Sequence, residues 1–304
     1  MAHRDALVEC VINISEGRDR PTIEKVRSAG GGAVLDVHSD REHHRSVVTL
    51  GGSLGIIEDA ARRVVAEAVA LIALRHHAGV HHRFGAADVV PFVPLAPLGA
   101  TAPSPSVPVD DPAWSEVIGA RDRFAAWAGT ELLLPCFLYG PDRSLPDIRR
   151  QAFRSLRPDT GPPQPHPTAG ASAVGARPVL IAYNVWIAAG DDGDTGPGRD
   201  GLLSVARSLA AELRSPAVRT LGLPVEAGAQ VSFNLIDSAS VPIAGLYDAV
   251  AAGVESKGYA VLRAELVGLL PAWALEQVPR HRWPELDLAA DRTIESSLQE
   301  RNRN

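Results

Sequence analysis

Lysine and cysteine are nearly missing from this chain: Lys25 and Lys257 are its only lysines, Cys10 and Cys136 its only cysteines. Two cysteines exclude a disulfide scaffold and a cysteine-rich zinc module. The scarcity of lysine beside abundant arginine, alanine and proline reflects the codon usage of a GC-rich genome and carries no functional information. No stretch reaches the ~20 consecutive apolar residues of a membrane-spanning helix. The start, MAHRDALVEC, has charge where a signal peptide has an apolar run. Positive charge is not in excess either, since a net charge of −6 argues against a nucleic-acid binder relying on general electrostatics. Walker A and HExxH motifs are missing, which weakens P-loop nucleotide binding and zincin chemistry. What remains is a soluble, cytoplasmic protein of 304 residues, 45% hydrophobic and 22% charged, with room for two domains and a site between them.

The second half reads more clearly than the first. Pro178–Ala188 (PVLIAYNVWIA) is an apolar, β-branched strand, and Gly201–Arg214 has helical periodicity with Asp200 as its N-cap. Val218–Glu226 and Gln230–Asp237 are strands around a turn at Ala227-Gly228. A helix over Pro242–Ser256 and a strand over Tyr259–Leu266 complete a βαββαβ, ferredoxin-like order. The first half repeats that order with longer connections. Strands are expected at Ala6–Ile14, Ala33–Val37, Ser46–Leu50, Asp88–Pro94 and Leu132–Leu138, and helices at Thr22–Ser28, Ser53–Leu74 and Pro112–Ala128. Ala96–Pro108 and Arg157–Gly170 are irregular, the acidic run Asp191–Asp194 is a turn, and Ser296–Asn304 is a frayed polar tail. The expected fold is therefore α+β, with two α/β subdomains, residues 1–178 and 179–304, carrying mixed or antiparallel sheets.

Seven of the ten histidines fall between His38 and His82. His38, His43 and His44 follow a strand end, while His76, His77, His81 and His82 surround a glycine after the long helix. Three readings are open: solvated loop residues, a metal site completed by Asp36, Asp40 or Asp88, or a general acid–base. Adjacent histidine pairs point different ways, which counts against the metal. Arg18, Arg45 and Arg83 flank the same motifs and could clamp carboxylates in bidentate fashion.

The run Val8–Asp19 (VECVINISEGRD) resembles the ECVPNFSEGRN-like opening of glutamate formiminotransferases. His76–Pro94 (HHAGVHHRFGAADVVPFVP) resembles that family's HKGEHPRMGALDVCPFIP signature. FLYG, GARPVLIAYN, QVSFNLID and ELVGLLP follow in family order, so the likeness runs from Val8 to Pro271. It implies two subdomains facing each other across a folate cleft. The activity implied is transfer of a formimino group between N5 of tetrahydrofolate and an amine. By default that amine is glutamate, as in histidine breakdown. It further implies His81 as the catalytic histidine, with Asn13, Arg18, Asp36, His38, His44, Arg45 and Arg83 around the amine substrate. A folate loop falls on Gly161–Gly170, with Gly161, Pro162, His166, Pro167, Thr168 and Gly170, together with Asn184. A homodimer is implied, or a heterodimer with a paralogue, and no metal, nucleic acid or membrane. The cyclodeaminase domain that animal enzymes add has no room in this length.

The departures concentrate in Asp36–Thr49 (DVHSDREHHRSVVT), where the animal-type pattern is DVDAGPSTNRTVYT. His38 stands for an aspartate, His44 for an asparagine and His82 for a proline. A second reading therefore keeps the chemistry but changes the amine to a glycyl or amino-sugar nitrogen. A third makes the chain a non-catalytic folate-binding or partner subunit. For the transfer itself, one imidazole can deprotonate the incoming nitrogen and protonate the departing one. His38 and His81 are expected in one cleft, and His38→Asp is expected to raise relative activity toward glutamate.

Overall fold

The structure is a computed structural model that describes residues 6–79, 83–96, 111–141, 143–189, 199–301 and 303. These divide into two compact α+β units, the first running to Val179 and taking in Arg301 and Arg303 as well, and the second running from Leu180 to Glu300.

The first unit comprises β1 (Leu7–Ile14), α1 (Arg20–Gly30), β2 (Val34–Asp40), β3 (Arg45–Ser53), α2 (Leu54–Leu71) and β4 (Ala87–Pro94). It continues through α3 (Pro112–Glu131), β5 (Cys136–Tyr139), α4 (Leu145–Gln151) and β6 (Ser172–Ala176). Its sheet is mixed, in the order β2-β3-β1-β4-β6-β5, with β6 parallel to both β4 and β5. The period-2 alternation of β1 sends Val8, Cys10, Ile12 and Ile14 to one face. There they join Ile57, Ala61, Val64 and Val65 of α2 and Phe124 of α3 in one buried cluster. Asp111 caps α3, its carboxylate accepting from the Ala113 N–H at 2.8 Å, and Pro112 takes the first turn. Residues directly opposite in an antiparallel pair share a face. Asn13 with Val47, Asp36 with Thr49, His38 with Val47 and Asp40 with Arg45 therefore lie on the face away from α1, α2 and α3.

The second unit comprises β7 (Ile181–Ala189), α5 (Arg199–Glu212), β8 (Val218–Val225), β9 (Gly228–Leu235), α6 (Ile243–Glu255) and β10 (Tyr259–Val267). Their sheet is antiparallel throughout, in the order β10-β7-β9-β8. The first four strands of the chain sit in the corresponding order, β4-β1-β3-β2. Two further helices, α7 (Ala272–Glu276) and α8 (Ile294–Arg301), follow. Leu270, Leu275 and Leu286 extend the apolar cluster that α5 and α6 form with this sheet.

Several expectations need correction. The tail is not frayed from Ser296: the Thr293 hydroxyl accepts from the Ser296 N–H at 3.1 Å, and Ile294 and Leu298 are buried one turn apart, so α8 persists to Arg301. The last strand of the first half is shorter than Leu132–Leu138, because Leu132 caps α3 and Leu133 takes φ +50°, leaving only Cys136–Tyr139 to pair. The strand expected at Ala33–Val37 starts one residue later and runs to Asp40. The long helix stops at Leu71, where Ile72 turns extended. Asp200 is not the cap of its helix, which already includes Arg199. β6 and α4 were not expected at all. The runs beyond Ala96 to Pro108 and from Asp191 to Asp194 lie outside the described residues. Among the described residues no helix is long and apolar enough to cross a membrane.

Candidate functional site

Arg45 opens β3 on the face away from the helices, and its guanidinium Nη2 donates to the Asn13 side-chain oxygen. Asn13 Nδ2 turns back to the Val11 carbonyl at 3.2 Å. The Arg45 Nε is buried with no hydrogen-bond partner among the described residues. Burial pushes the Arg45 pKa down to about 10, with Asp88 and Asp40 opposing the shift and Arg149 and Arg83 adding to it. A guanidinium in such surroundings is held by a neutral amide where a carboxylate would be the stronger partner.

Two more arginines share this place. Arg83 donates to the carbonyls of His43 and, at 2.6 Å, of His44, and burial pushes its pKa down to about 10. Arg149, from α4, donates to Asp88 Oδ2 at 2.7 Å, while Asp88 Oδ1 accepts the Phe84 N–H at 2.9 Å. Asp88 is thus the anchor of its strand and of Arg149. Three guanidiniums share the field of this one buried carboxylate, with Asp40 and Glu16 adding negative charge. The arrangement can receive an anion whose planar carboxylate replaces water on the arginine face.

The two histidine-rich segments meet beside it. His44 adopts φ +49°, an unusual conformation for a side chain of its size. Its ring stacks on that of His77, with centroids 4.3 Å apart and planes at 17°. His44 Nε2 lies 3.0 Å from Glu16 Oε1 and Nδ1 lies 3.2 Å from the Ala78 carbonyl. The His44 carbonyl receives both Arg83 and, at 2.9 Å, His77 Nε2. One residue therefore ties down the chain at His77, Ala78 and Arg83. Burial would raise the Glu16 carboxyl, but the N–H groups of Asp19 and Arg18 and the His44 ring outweigh it and hold it below its usual range. Burial lowers the His77 imidazole, with Arg83 and His44 reinforcing the effect and the His44 carbonyl opposing it. His81, together with its distance from His38, lies outside the described residues. Arg18 is exposed, and its Nε donates to the Arg41 carbonyl at 2.8 Å.

The loop expected to bind folate ends against the same region. Leu74 N–H donates to the Thr168 carbonyl, Ala86 N–H to Ala169 and Ala171 N–H to Phe84, each at 2.9 Å. His166 and Gly170 exchange backbone bonds at 2.7 and 3.0 Å, and His166 Nδ1 accepts the Ala169 N–H at 3.0 Å, which places the ring proton on Nε2. Gly170 (φ +69°) is required here, since a Cβ would overlap the Phe84 carbonyl. Gly161 (φ +82°) lies against the Leu134 carbonyl, Pro162 is half-buried and Pro167 exposed. Asn184 belongs to the second unit, where its Nδ2 donates to Glu265 Oε2 at 3.0 Å.

Among the residues the sequence reading proposed, the structure groups Asn13, Arg45, Arg83 and His44, and brings Thr168 and Gly170 beside them. Asp36 and His38 sit on β2, on the same face as Arg45. It adds Glu16 and Arg149, and makes His77, one of the clustered histidines, the ring partner of His44.

The formiminotransferase domain, N-terminal subdomain, matches residues 7–177. A glutamate formimidoyltransferase of Thermoplasma acidophilum is 34% identical over 91% of this chain and 92% of its own. One from Streptococcus pyogenes serotype M1 is 30% identical over 90% and 92%. The formimidoyltransferase-cyclodeaminase of Gallus gallus is 30% identical, with 88% of this chain matching 51% of that enzyme. With a family match over more than half its length, this chain is a transferase that belongs to the formiminotransferase family.

Proposed function

We propose that this chain moves a formimidoyl group between N5 of tetrahydrofolate and the amine of glutamate. The observation that carries the glutamate assignment is Arg45, a half-buried cation with a buried, unpartnered Nε among the described residues, bonded to a neutral amide beside Arg83 and Arg149. A carboxylate-bearing amine completes that cluster, and an amino sugar does not. The names of the Thermoplasma and Streptococcus relatives point the same way. The departure at His44 finds a structural use, in bracing His77 and Ala78, and so gives no ground for a changed amine.

In this reading tetrahydrofolate supplies the N5 nitrogen and docks along Gly161–Gly170. His81 takes the proton from the incoming nitrogen and returns it to the departing one. A protonated formimidoyl group is cationic, so carboxylates such as Asp36 and Asp40, on the face that carries Arg45, suit its surroundings better than an oxyanion hole. The second unit is ferredoxin-like and carries Asn184.

The test is turnover of N-formimino-glutamate with tetrahydrofolate by the purified protein, against glycine and amino-sugar analogues. Glutamate should lead. Arg45→Met should raise KM for the glutamate substrate about 100-fold, the loss of roughly 3 kcal/mol expected for a charge-assisted pair, while Arg45→Lys should recover part of it. Faster turnover of an amino sugar would end the glutamate assignment.

A further inference from the structure

On β9, Ala229, Val231, Phe233 and Leu235 lie in the apolar cluster with α5 and α6, so Gln230, Ser232 and Asn234 point to the opposite face. Register places Gln230 between Trp186 on β7 and Leu223 on β8. Its neighbours on this face bond to one another. Asn184 Nδ2 and Trp186 Nε1 each donate to Glu265 Oε2 at 3.0 Å, and the Arg263 guanidinium lies 3.9 Å over the Trp186 ring. Gln230 takes no part. It has 0% exposure, and neither Oε1 nor Nε2 has a hydrogen-bond partner among the described residues. Each such buried polar atom costs about 1–3 kcal/mol, and native interiors rarely carry them without a partner.

We propose that Gln230 is a ligand-reading residue, and that its partner is the cis-amide (lactam) edge of a planar ring. A carboxamide presents one acceptor and one donor side by side in one plane, so its complement must present a donor and an acceptor at the same spacing. A ring lactam does so. A protonated amidine offers donors alone and a carboxylate acceptors alone, so neither satisfies both atoms. The assignment rests on the proposed use of tetrahydrofolate, whose pterin ring carries such an edge, and names Gln230 as a specificity residue for that ring. Glu265 bonds Asn184 and Trp186, and so holds the amide's neighbours on this face in place.

The experiment compares the wild type with Gln230→Met, which keeps the length but loses both polar atoms, and with Gln230→Leu, which loses both in a shorter side chain. Titration calorimetry and thermal shift would use tetrahydrofolate, tetrahydropterin without the side chain, and p-aminobenzoyl-glutamate without the ring. Gln230→Met should leave the ligand-free melting temperature equal to or above the wild type's. It should weaken tetrahydropterin and tetrahydrofolate at least tenfold, and leave p-aminobenzoyl-glutamate binding and the KM for N-formimino-glutamate unchanged. If Gln230→Met does not fold, Gln230→Leu gives the same reading by weakening tetrahydropterin and tetrahydrofolate and leaving p-aminobenzoyl-glutamate unchanged. Unchanged affinity for tetrahydropterin in the folded variants overturns the proposal, as does a lower melting temperature with unchanged affinity, the mark of a buried water. Gln230-dependent pterin binding without formimidoyl transfer would sink the proposed function and leave this inference standing. Transfer with Gln230-independent folate binding would do the reverse, and no pterin binding by the wild type would remove both.

Discussion

The two sheets share a strand order and differ in what they carry on the face turned away from their main helices. In the first unit that face ends in charge, with Arg45 on β3 and Arg83 and Arg149 around Asp88. In the second it holds a mid-strand lattice of Asn184, Trp186 and Glu265 beside an amide with no partner among the described residues. The scaffold common to both supplies a hydrophobic layer and a flat polar surface. The extra length of the first unit, from α3 to β6, supplies Arg149 and the glycine-edged loop. Chemistry on a repeated topology thus follows the additions and the strand ends, while the shared strands only present it.

The sharpest way to break this comparison is to empty each core in turn. Phe92 and Phe233 are both essentially fully buried, each in its own unit's cluster. Phe92→Ala and Phe233→Ala should each cost about 3–5 kcal/mol. Calorimetry should show each lowering the transition of its own unit, and a single transition lowered equally by both would refute separate cores. Gly170→Ala comes next. Its Cβ would overlap the Phe84 carbonyl at φ +69°, so about 2–3 kcal/mol should be lost from the first unit alone, with folate affinity falling as the loop shifts. Equal destabilisation of the second unit would contradict that confinement. The smallest effect is on pH dependence. The His77 value is lowered in the folded state, so as pH falls through about 6.5 the unfolded chain binds a proton that the folded one refuses. Stability of the first unit should therefore decline between pH 7.5 and 5.5, and His77→Asn should flatten that slope in denaturant melts. An unaltered slope would assign the dependence elsewhere.

Much of the second unit was legible because its strands alternate and its helices keep the 3.6-residue period, which Val231, Phe233 and Leu235 make plain. β6 was not, since Ser172–Ala176 is short, built of small residues, and a strand only by virtue of two parallel neighbours. In the site, Asn13 and Arg45 belonged to motifs and were found bonded to each other. The His44–His77 stack joins residues far apart in sequence, and only the pairing of β1, β3 and β4 brings them together. Gln230 looked like one polar residue in a strand, and its missing partners are visible only when every neighbour is placed.

The place of β6 in its sheet has a consequence in time. β5 sits at the sheet edge with β6 as its neighbour, and β6 is inserted between β5 and β4 although it is made last. A ribosome adding about 5–20 residues per second would thus release β5 some seconds before its sheet neighbour exists. Until Ser172–Ala176 emerges, β4 has an open edge and Cys136–Tyr139 has no ladder to join. The antiparallel strands β1 to β4 can assemble as they appear, so the first unit closes from its N-terminal strands outward, and the chain that follows the loop is its last stitch.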